Sequence, residues 1–241
     1  MTGIMTENMK MTLRKGEESR ILYLVSPGGE SSLSGHVGGF SVISGNGLNL
    51  NMALEDGARA DILAVILPGA DTEMTFSMDL AGDGAGCFLS GLYLCPDNEK
   101  LSINVLMRHR VPRCTSRQQF RGIVSGTAEA RFYGKIIVSQ DAQKTEAYQE
   151  NHNLLLSETA KVDTQPQLEI YADDVKCSHG AAIGKLDENE QFYMRSRGIP
   201  EQEARILQMI SFLSPVLDIL PEGEGREALV SYLENAVRSE F

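Results

Sequence analysis

Short apolar runs of strand length recur along most of this 241-residue chain, and no helical period appears before about residue 185. Several runs alternate apolar with polar residues, as in Leu48–Met52 and Thr75–Leu80, which places the apolar side chains on one face of a strand. Turn-forming Gly, Pro, Asn and Asp residues separate runs whose centres lie about 10 to 15 residues apart, which predicts an all-β domain. The runs are Ile21–Val25, Phe40–Ile43, Leu48–Met52, Ile62–Leu67, Thr75–Leu80, Phe88–Leu94, Leu101–Met107, Ile123–Val124, Ala130–Tyr133, Ile136–Val138, Leu154–Leu156 and Leu168–Tyr171.

The runs fit a sandwich, a barrel or a β-solenoid. Two runs with their turns make a unit of about 25 residues, which lies in the range of solenoid coils. No residue motif repeats at that period, so the pattern alone leaves sandwich and solenoid equally supported.

The pattern changes to a helical one after Ile183. Asp187 and Glu190 stand in the capping-box spacing, Gly198 suits a helix end, and Pro200 suits the first turn of the next helix. An apolar stripe over residues 201–220 is expected to kink at Ser214-Pro215, and a last helix is expected from Glu222 to Val237. We therefore predict a flexible tail over 1–20, a β core over 21–184 and a helical domain over 185–241. The helices are expected to cover an end of the β core and also to offer a docking face.

Composition excludes several classes of function. The formal net charge of −11 disfavours nucleic-acid binding, because such a field repels phosphates. The longest apolar run, Ile62–Leu67, is too short to cross a bilayer, and the first 20 residues lack the apolar segment of a secretory signal. The four cysteines show no CxxC spacing, and a reduced, cytoplasmic protein without membrane contact is the favoured interpretation.

Cys177 and His179 are the strongest candidates for metal ligands. Thiolate and imidazole bind zinc, copper and iron–sulfur clusters, and residues two apart on a strand face the same side. Two ligands do not close a site, so others would come from elsewhere in the chain or from another chain. A buried structural thiol and a structural histidine are the alternative.

A basic stretch from Arg108 to Arg117 surrounds Cys114. It fits an anion site or a thiol of lowered pKa, but a solvated strand edge is the interpretation we prefer. The glycine-rich turn Ser26–Gly29 has no phosphate-loop form, and no GxSxG is present, so nucleotide binding and catalysis by this chain are not expected.

Several segments resemble the SufB/SufD family, most specifically the string EIYADDVKCSHGA within Leu168–Ala181. The resemblance covers roughly residues 105–205. The other segments that carry it are Arg108-His109, Ser116–Gln118, Phe120–Gly122, Gly134–Ile136, Asp141–Ala147, Asn153–Ser157 and Phe192–Ile199.

The resemblance implies a right-handed parallel β-helix with a small C-terminal α-helical domain. It also implies a non-catalytic scaffold in the SUF iron–sulfur assembly complex, which pairs with a B-type subunit or with itself and docks an ABC-type ATPase through its helices. Cluster or iron would be bound transiently between paired subunits, with His179 similar to the family's interface histidine and Cys177 a weaker candidate.

The resemblance further implies a D-type member. B-type members carry a cysteine at about the position of Asn151 and tend to have glutamate where this chain has Gly180. The long N-terminal helical region usual in the family does not precede the first strand here, so a shortened or minimal member is expected. A stand-alone iron or zinc protein using Cys177 and His179 remains the alternative function.

Overall fold

The protein is mainly β, with 52% of its residues in strands that wind into a parallel β-solenoid of about five turns, followed by three helices. This computed structural model describes residues 7–25 and 36–241, so the turn Ser26–Gly29 lies outside the described residues. No helix in those two ranges is long and apolar enough to cross a membrane. The strands are β1 Glu7–Leu13, β2 Glu18–Val25, β3 His36–Val37, β4 Phe40–Gly45, β5 Leu48–Leu54, β6 Arg59–Ile66, β7 Thr72–Leu80, β8 Gly86–Cys95, β9 Lys100–His109, β10 Thr115–Val124, β11 Glu129–Val138, β12 Glu146–Leu155, β13 Lys161–Ile170 and β14 Lys176–Gly184.

From β4 onward the strands alternate between two sheets. A six-stranded sheet has the order β1-β5-β7-β9-β11-β13, and an eight-stranded sheet has the order β14-β12-β10-β8-β6-β2-β4-β3. Every pairing is parallel except that of β3 with β4. The prediction of a parallel β-helix is therefore confirmed.

One coil takes about 30 residues, since Gly86, Thr115 and Glu146 occupy the same register position in successive coils. This exceeds the unit of about 25 residues that the spacing of the runs predicts. The apolar runs cover only parts of the strands, such as Ile123–Val124 at the end of β10, whereas the full strands of the later coils contain 10 residues.

The main core lies between the two sheets and is made of inward side chains stacked coil upon coil. Two strand glycines make room for aromatic rings of the adjacent coil. A Cβ on Gly91 would overlap the ring of Phe120, and a Cβ on Gly122 would overlap the ring of Tyr93. These glycines are therefore packing requirements of the interior, not turns.

Residues 7–20 are not the tail that the sequence predicts. Glu7–Leu13 forms β1 and pairs in register with β5, while β2 begins at Glu18. Met9, Met11 and Leu13 alternate toward the core and contact it. A polar segment with apolar residues at every second position thus supplies an edge strand of the six-stranded sheet.

Three α-helices follow the last strand: α1 Glu188–Ser196, α2 Glu201–Leu213 and α3 Glu224–Glu240. The Asp187 carboxylate accepts hydrogen bonds from the backbone N–H groups of Asn189 and Glu190, which is the first half of the predicted capping box. The Glu190 carboxylate instead accepts a hydrogen bond from the Gln208 Nε2 at 2.8 Å. The expected break at Ser214-Pro215 is a 3₁₀ helix, Ser214–Ile219, that joins α2 to the approach of α3.

The helices cover the side of the solenoid, not an end of it. α2, α3 and the 3₁₀ helix pack on the outer face of the eight-stranded sheet and form a second apolar core with it. Leu63, Leu92 and Ile123 of that face are wholly buried. The expectation that the helices cap the coil stack is therefore wrong, because strands buried on both faces give the helices a larger apolar surface along the side.

Candidate functional site

The C-terminal end of the coil stack is open. β13 and β14 are the last strands of their sheets, and each pairs with one strand only. Large apolar side chains are exposed there, including Ile170, Tyr171 and Ile183. The inner face of the last coil is therefore only partly covered within the described part of the chain.

Cys177 and His179 both lie on β14 and face the interior side of this open end. Their register partners on β12 are Ala147 and Gln149, which are buried inside the solenoid. Cys177 is half-buried against the core, whereas His179 is exposed. The predicted common orientation of the two side chains is thus present.

The thiol of Cys177 is not activated in the isolated chain. Burial raises its pKa above the ordinary value, and a hydrogen bond from the backbone of Ala147 opposes that shift only in part. A neutral thiol is a poor ligand, so Cys177 binds metal only if the metal displaces its proton.

The edge of β14 can pair with another strand, but the edge of β13 is interrupted. The N–H groups of Lys161 and Tyr171 donate to the preceding coil, so the even-numbered residues between them point their N–H groups to the open side. Pro166 falls on that side and has no N–H. In β14 the N–H of Lys176 donates to Thr145, so Cys177, His179, Ala181 and Ile183 present an unbroken row of backbone groups.

The donor set is incomplete within one chain. No group of three or more His, Cys, Asp or Glu residues that could hold a metal occurs in residues 7–25 and 36–241. Cys177 and His179 therefore fit a shared site that a second subunit completes better than a closed site of their own.

Asn151 and Gly180, the two positions from which the resemblance implies a D-type member, differ in their surroundings. Asn151 lies buried in β12 and accepts a hydrogen bond from Asn153 at 2.5 Å. Gly180 is open, because a Cβ built there meets no atom within 4 Å. Space alone therefore does not require glycine at 180, whereas asparagine at 151 belongs to a buried polar network.

The basic stretch is built into the coil stack and is not a strand edge. Arg110 and Arg113 pair with Asp79 and Asp83 of the preceding coil. Cys114 is fully buried, and burial raises its pKa to about 11, with the nearby Arg113 only a minor opposing influence. The hypothesis of a reactive thiol at Cys114 is wrong because desolvation outweighs the arginine.

Sequence reasoning missed a row of buried polar residues in the last coils. Gln118, Gln149, Asn151 and Asn153 all point inward and are at most 2% exposed. Gln118 and Gln149 are register partners, one coil apart. Inward polar residues that recur at the coil spacing are the signal that could have revealed them.

A second surface feature lies between the helices and the sheet. α1 contains no buried residue, and it leaves Phe192 73% exposed and Tyr193 60% exposed. Beside it, a groove of about 820 Å³ opens between α1, α2 and the sheet, and Leu207 and the Arg121 side chain line part of its wall.

Comparison with known proteins identifies the family. The protein-family model described as "SUF system FeS cluster assembly, SufBD core domain" matches residues 46–212. The chain belongs to the SufB/SufD family. The matched region of this SufB/SufD member runs from just before β5 into α2 and so includes β14 and the open end.

Named SufB/SufD relatives include D-type proteins. SufD of Escherichia coli K12 is 39% identical over 180 residues, which cover 74% of this chain and 43% of the relative. A SufBD family protein of Synechocystis is 46% identical over 46% of this chain and 24% of the relative. SufD of Bacillus subtilis is 38% identical over 48% of this chain and 27% of the relative. The chain thus matches less than half the length of these SufB/SufD proteins.

Proposed function

We propose that this chain is a non-catalytic scaffold subunit of the SUF iron–sulfur cluster assembly complex. The observation that carries the proposal is the open end of the solenoid, where the β14 edge, exposed apolar side chains and two potential ligands lie together. Family membership supports a role in cluster assembly.

The open end pairs with a second β-helix, either a B-type subunit or another copy of this chain. Ile170, Tyr171 and Ile183 supply apolar area, and β14 supplies backbone groups for strand pairing. Nascent cluster or iron is the cargo, bound between the subunits by His179, with Cys177 as the weaker ligand. The partner supplies the remaining ligands, since residues 7–25 and 36–241 bring no third His, Cys, Asp or Glu to Cys177 and His179.

Ile183→Lys should weaken pairing by at least about tenfold, because a lysine charge would replace an apolar side chain at the centre of the contact. Ala182→Lys is the matched control: it lies on the same edge strand and is also exposed, but it faces the outer side. The measurement is the mass of the chain by light scattering, alone and mixed with a B-type subunit. Equal pairing of wild type and Ile183→Lys would contradict the assignment of this surface.

The ATPase docks on a different surface from the open end, namely the groove between α1, α2 and the sheet. The exposed rings of Phe192 and Tyr193 stand at its side on a helix without buried residues. Arg121 makes no ion pair within the described ranges and donates to the backbone oxygen of Phe212 at 2.6 Å. Glu150 and Asp218 lie near enough to interact with the Arg121 charge, but the Arg121 Nε is buried without a hydrogen-bond partner among the described residues. Apolar walls with such an unpaired donor suit an apolar protein segment that carries an acceptor.

Phe192→Ala should reduce ATPase binding by about tenfold while leaving the melting temperature unchanged, because the ring is mostly exposed in the free chain. Gln191→Ala, at the neighbouring position of α1, is the control and should bind normally. Isothermal titration with the purified ATPase subunit measures both. Removal of the helices would be a poor test, because α2 and α3 cover the second apolar core. Unchanged binding by Phe192→Ala would place the docking surface elsewhere.

A further inference from the structure

Gln149 lies directly beneath His179 in the coil stack. The two residues are register partners on β12 and β14, and Gln118 occupies the same position one coil deeper on β10. Adjacent strands in such a stack are about 4.8 Å apart, so side chains at one register position lie within reach of each other. Gln118, Gln149 and His179 therefore form an interior polar row that ends at the open end.

The amide of Gln149 has one bonded end and one unbonded end. Its Nε2 donates to the Oε1 of Gln118 at 2.6 Å. Its own Oε1 is buried and accepts no hydrogen bond from the described residues. A buried carbonyl oxygen without a donor destabilises the fold, so a donor within reach is favoured.

The position of Gln149 is fixed by the opposite sheet. Gly134 faces the Gln149 side chain, and a Cβ at Gly134 would overlap the amide group. The glycine leaves a slot that the amide fills. The slot and the bond to Gln118 together hold the amide group in place.

His179 is the polar side chain at the next register position. The neighbouring inward residue of β14, Ala181, has no side-chain donor. An imidazole N–H of His179 can satisfy the Gln149 oxygen and complete the row. The second ring nitrogen then keeps its lone pair directed away from the core.

We propose that Gln149 is a positioning residue for His179, and that its Oε1 accepts one imidazole N–H and so selects a single tautomer. The inference deepens the proposed function and rests on it, because a fixed tautomer presents the other ring nitrogen to cargo metal. Histidines that bind metals commonly donate their second N–H to a carbonyl or carboxylate in this way.

The test is the tautomer of His179 in the full-length chain labelled with ¹⁵N-histidine, measured by long-range ¹H–¹⁵N spectra at pH 8.5. His179→Ala identifies the signal. Wild type should show one protonated and one unprotonated ring nitrogen with well-separated shifts. Gln149→Met is similar in size but lacks the amide oxygen. It should lower the ratio of the two tautomers several-fold, and the two ring-nitrogen shifts should therefore move toward each other.

Thr145→Val is the matched control, since it also replaces a buried polar side chain beside β12 with an apolar one of similar size, four residues before Gln149. It should keep the wild-type tautomer. Averaged nitrogen shifts in wild type, or a tautomer unaffected by Gln149→Met, would overturn the proposal. The wild-type measurement stands even if Gln149→Met does not fold.

An assay of cluster assembly by the paired subunits distinguishes a failure of this inference from a failure of the proposed function. Loss of assembly in His179→Ala, together with an averaged tautomer in wild type, would remove the positioning role and leave the scaffold role. A single tautomer that depends on Gln149, with normal assembly in His179→Ala, would support the hydrogen bond and remove the ligand role of His179.

Discussion

Gly122→Ala should lower the free energy of unfolding by about 3 kcal/mol or more, which is the upper range for overpacking a core. The added methyl would overlap the ring of Tyr93, whose hydroxyl donates to Asn153 in the last coils. Moving the ring would break that buried bond and disturb the stack above it. Urea unfolding monitored by circular dichroism measures the loss.

Gly86→Ala is the matched control for this substitution. It lies on the adjacent strand, and a Cβ there would stand 3.6 Å from the Phe88 ring, which is an ordinary contact. Its expected effect is within about 1 kcal/mol. Adding Tyr93→Leu to Gly122→Ala should recover part of the loss, because the smaller side chain vacates the overlapping space. Equal stability of Gly122→Ala and Gly86→Ala would show that the ring moves at little cost.

His109 should make the fold less stable as the pH falls from about 6.5 to about 4. Burial lowers its pKa from 6.5 to about 4, and its Nε2 lies 2.8 Å from the Ser116 hydroxyl oxygen. Below about pH 6.5 this histidine is protonated in the unfolded chain, whereas in the folded chain it stays neutral down to about pH 4. The free energy of unfolding therefore drops by about 3 kcal/mol over that window, and the full contribution is present above it.

His109→Gln removes this titrating group and keeps an amide that can bond to Ser116. The variant should be less stable at pH 7.5, but its stability should fall less steeply between pH 6.5 and 4 than that of wild type. Urea unfolding at several pH values gives both curves. Parallel curves would mean that another group accounts for the acid sensitivity.

The sequence predicts local features of this protein better than those that depend on coil stacking. The cap at Asp187 and the break at Ser214 depend on a few neighbouring residues, and both are present. The shared face of Cys177 and His179 follows from the two-residue period of a strand. Each of these needs no knowledge of the rest of the chain.

The features that sequence reasoning missed arise between coils. Met9 and Met11 look like part of a polar tail until β5 is known to lie beside them. Gln118 and Gln149 look like surface residues until the register places them inside. The helices cover the side of the solenoid because Leu63 and Leu92 face outward, which alternation within one strand does not reveal.

Because β14 pairs with one strand only, the local stability of the candidate site is lower than that of the coils beneath it. In a stack where each coil contacts only the adjacent coils, the terminal coil opens first. β14 has one strand neighbour, β12, and makes few contacts with β13, so its order costs less to lose than that of strands paired on both sides. A pairing subunit would supply a second neighbour, and the free energy of association would then also order the strand. The geometry around His179 would thereby be rigid in the assembled pair, where cargo is handled, and looser in the free chain.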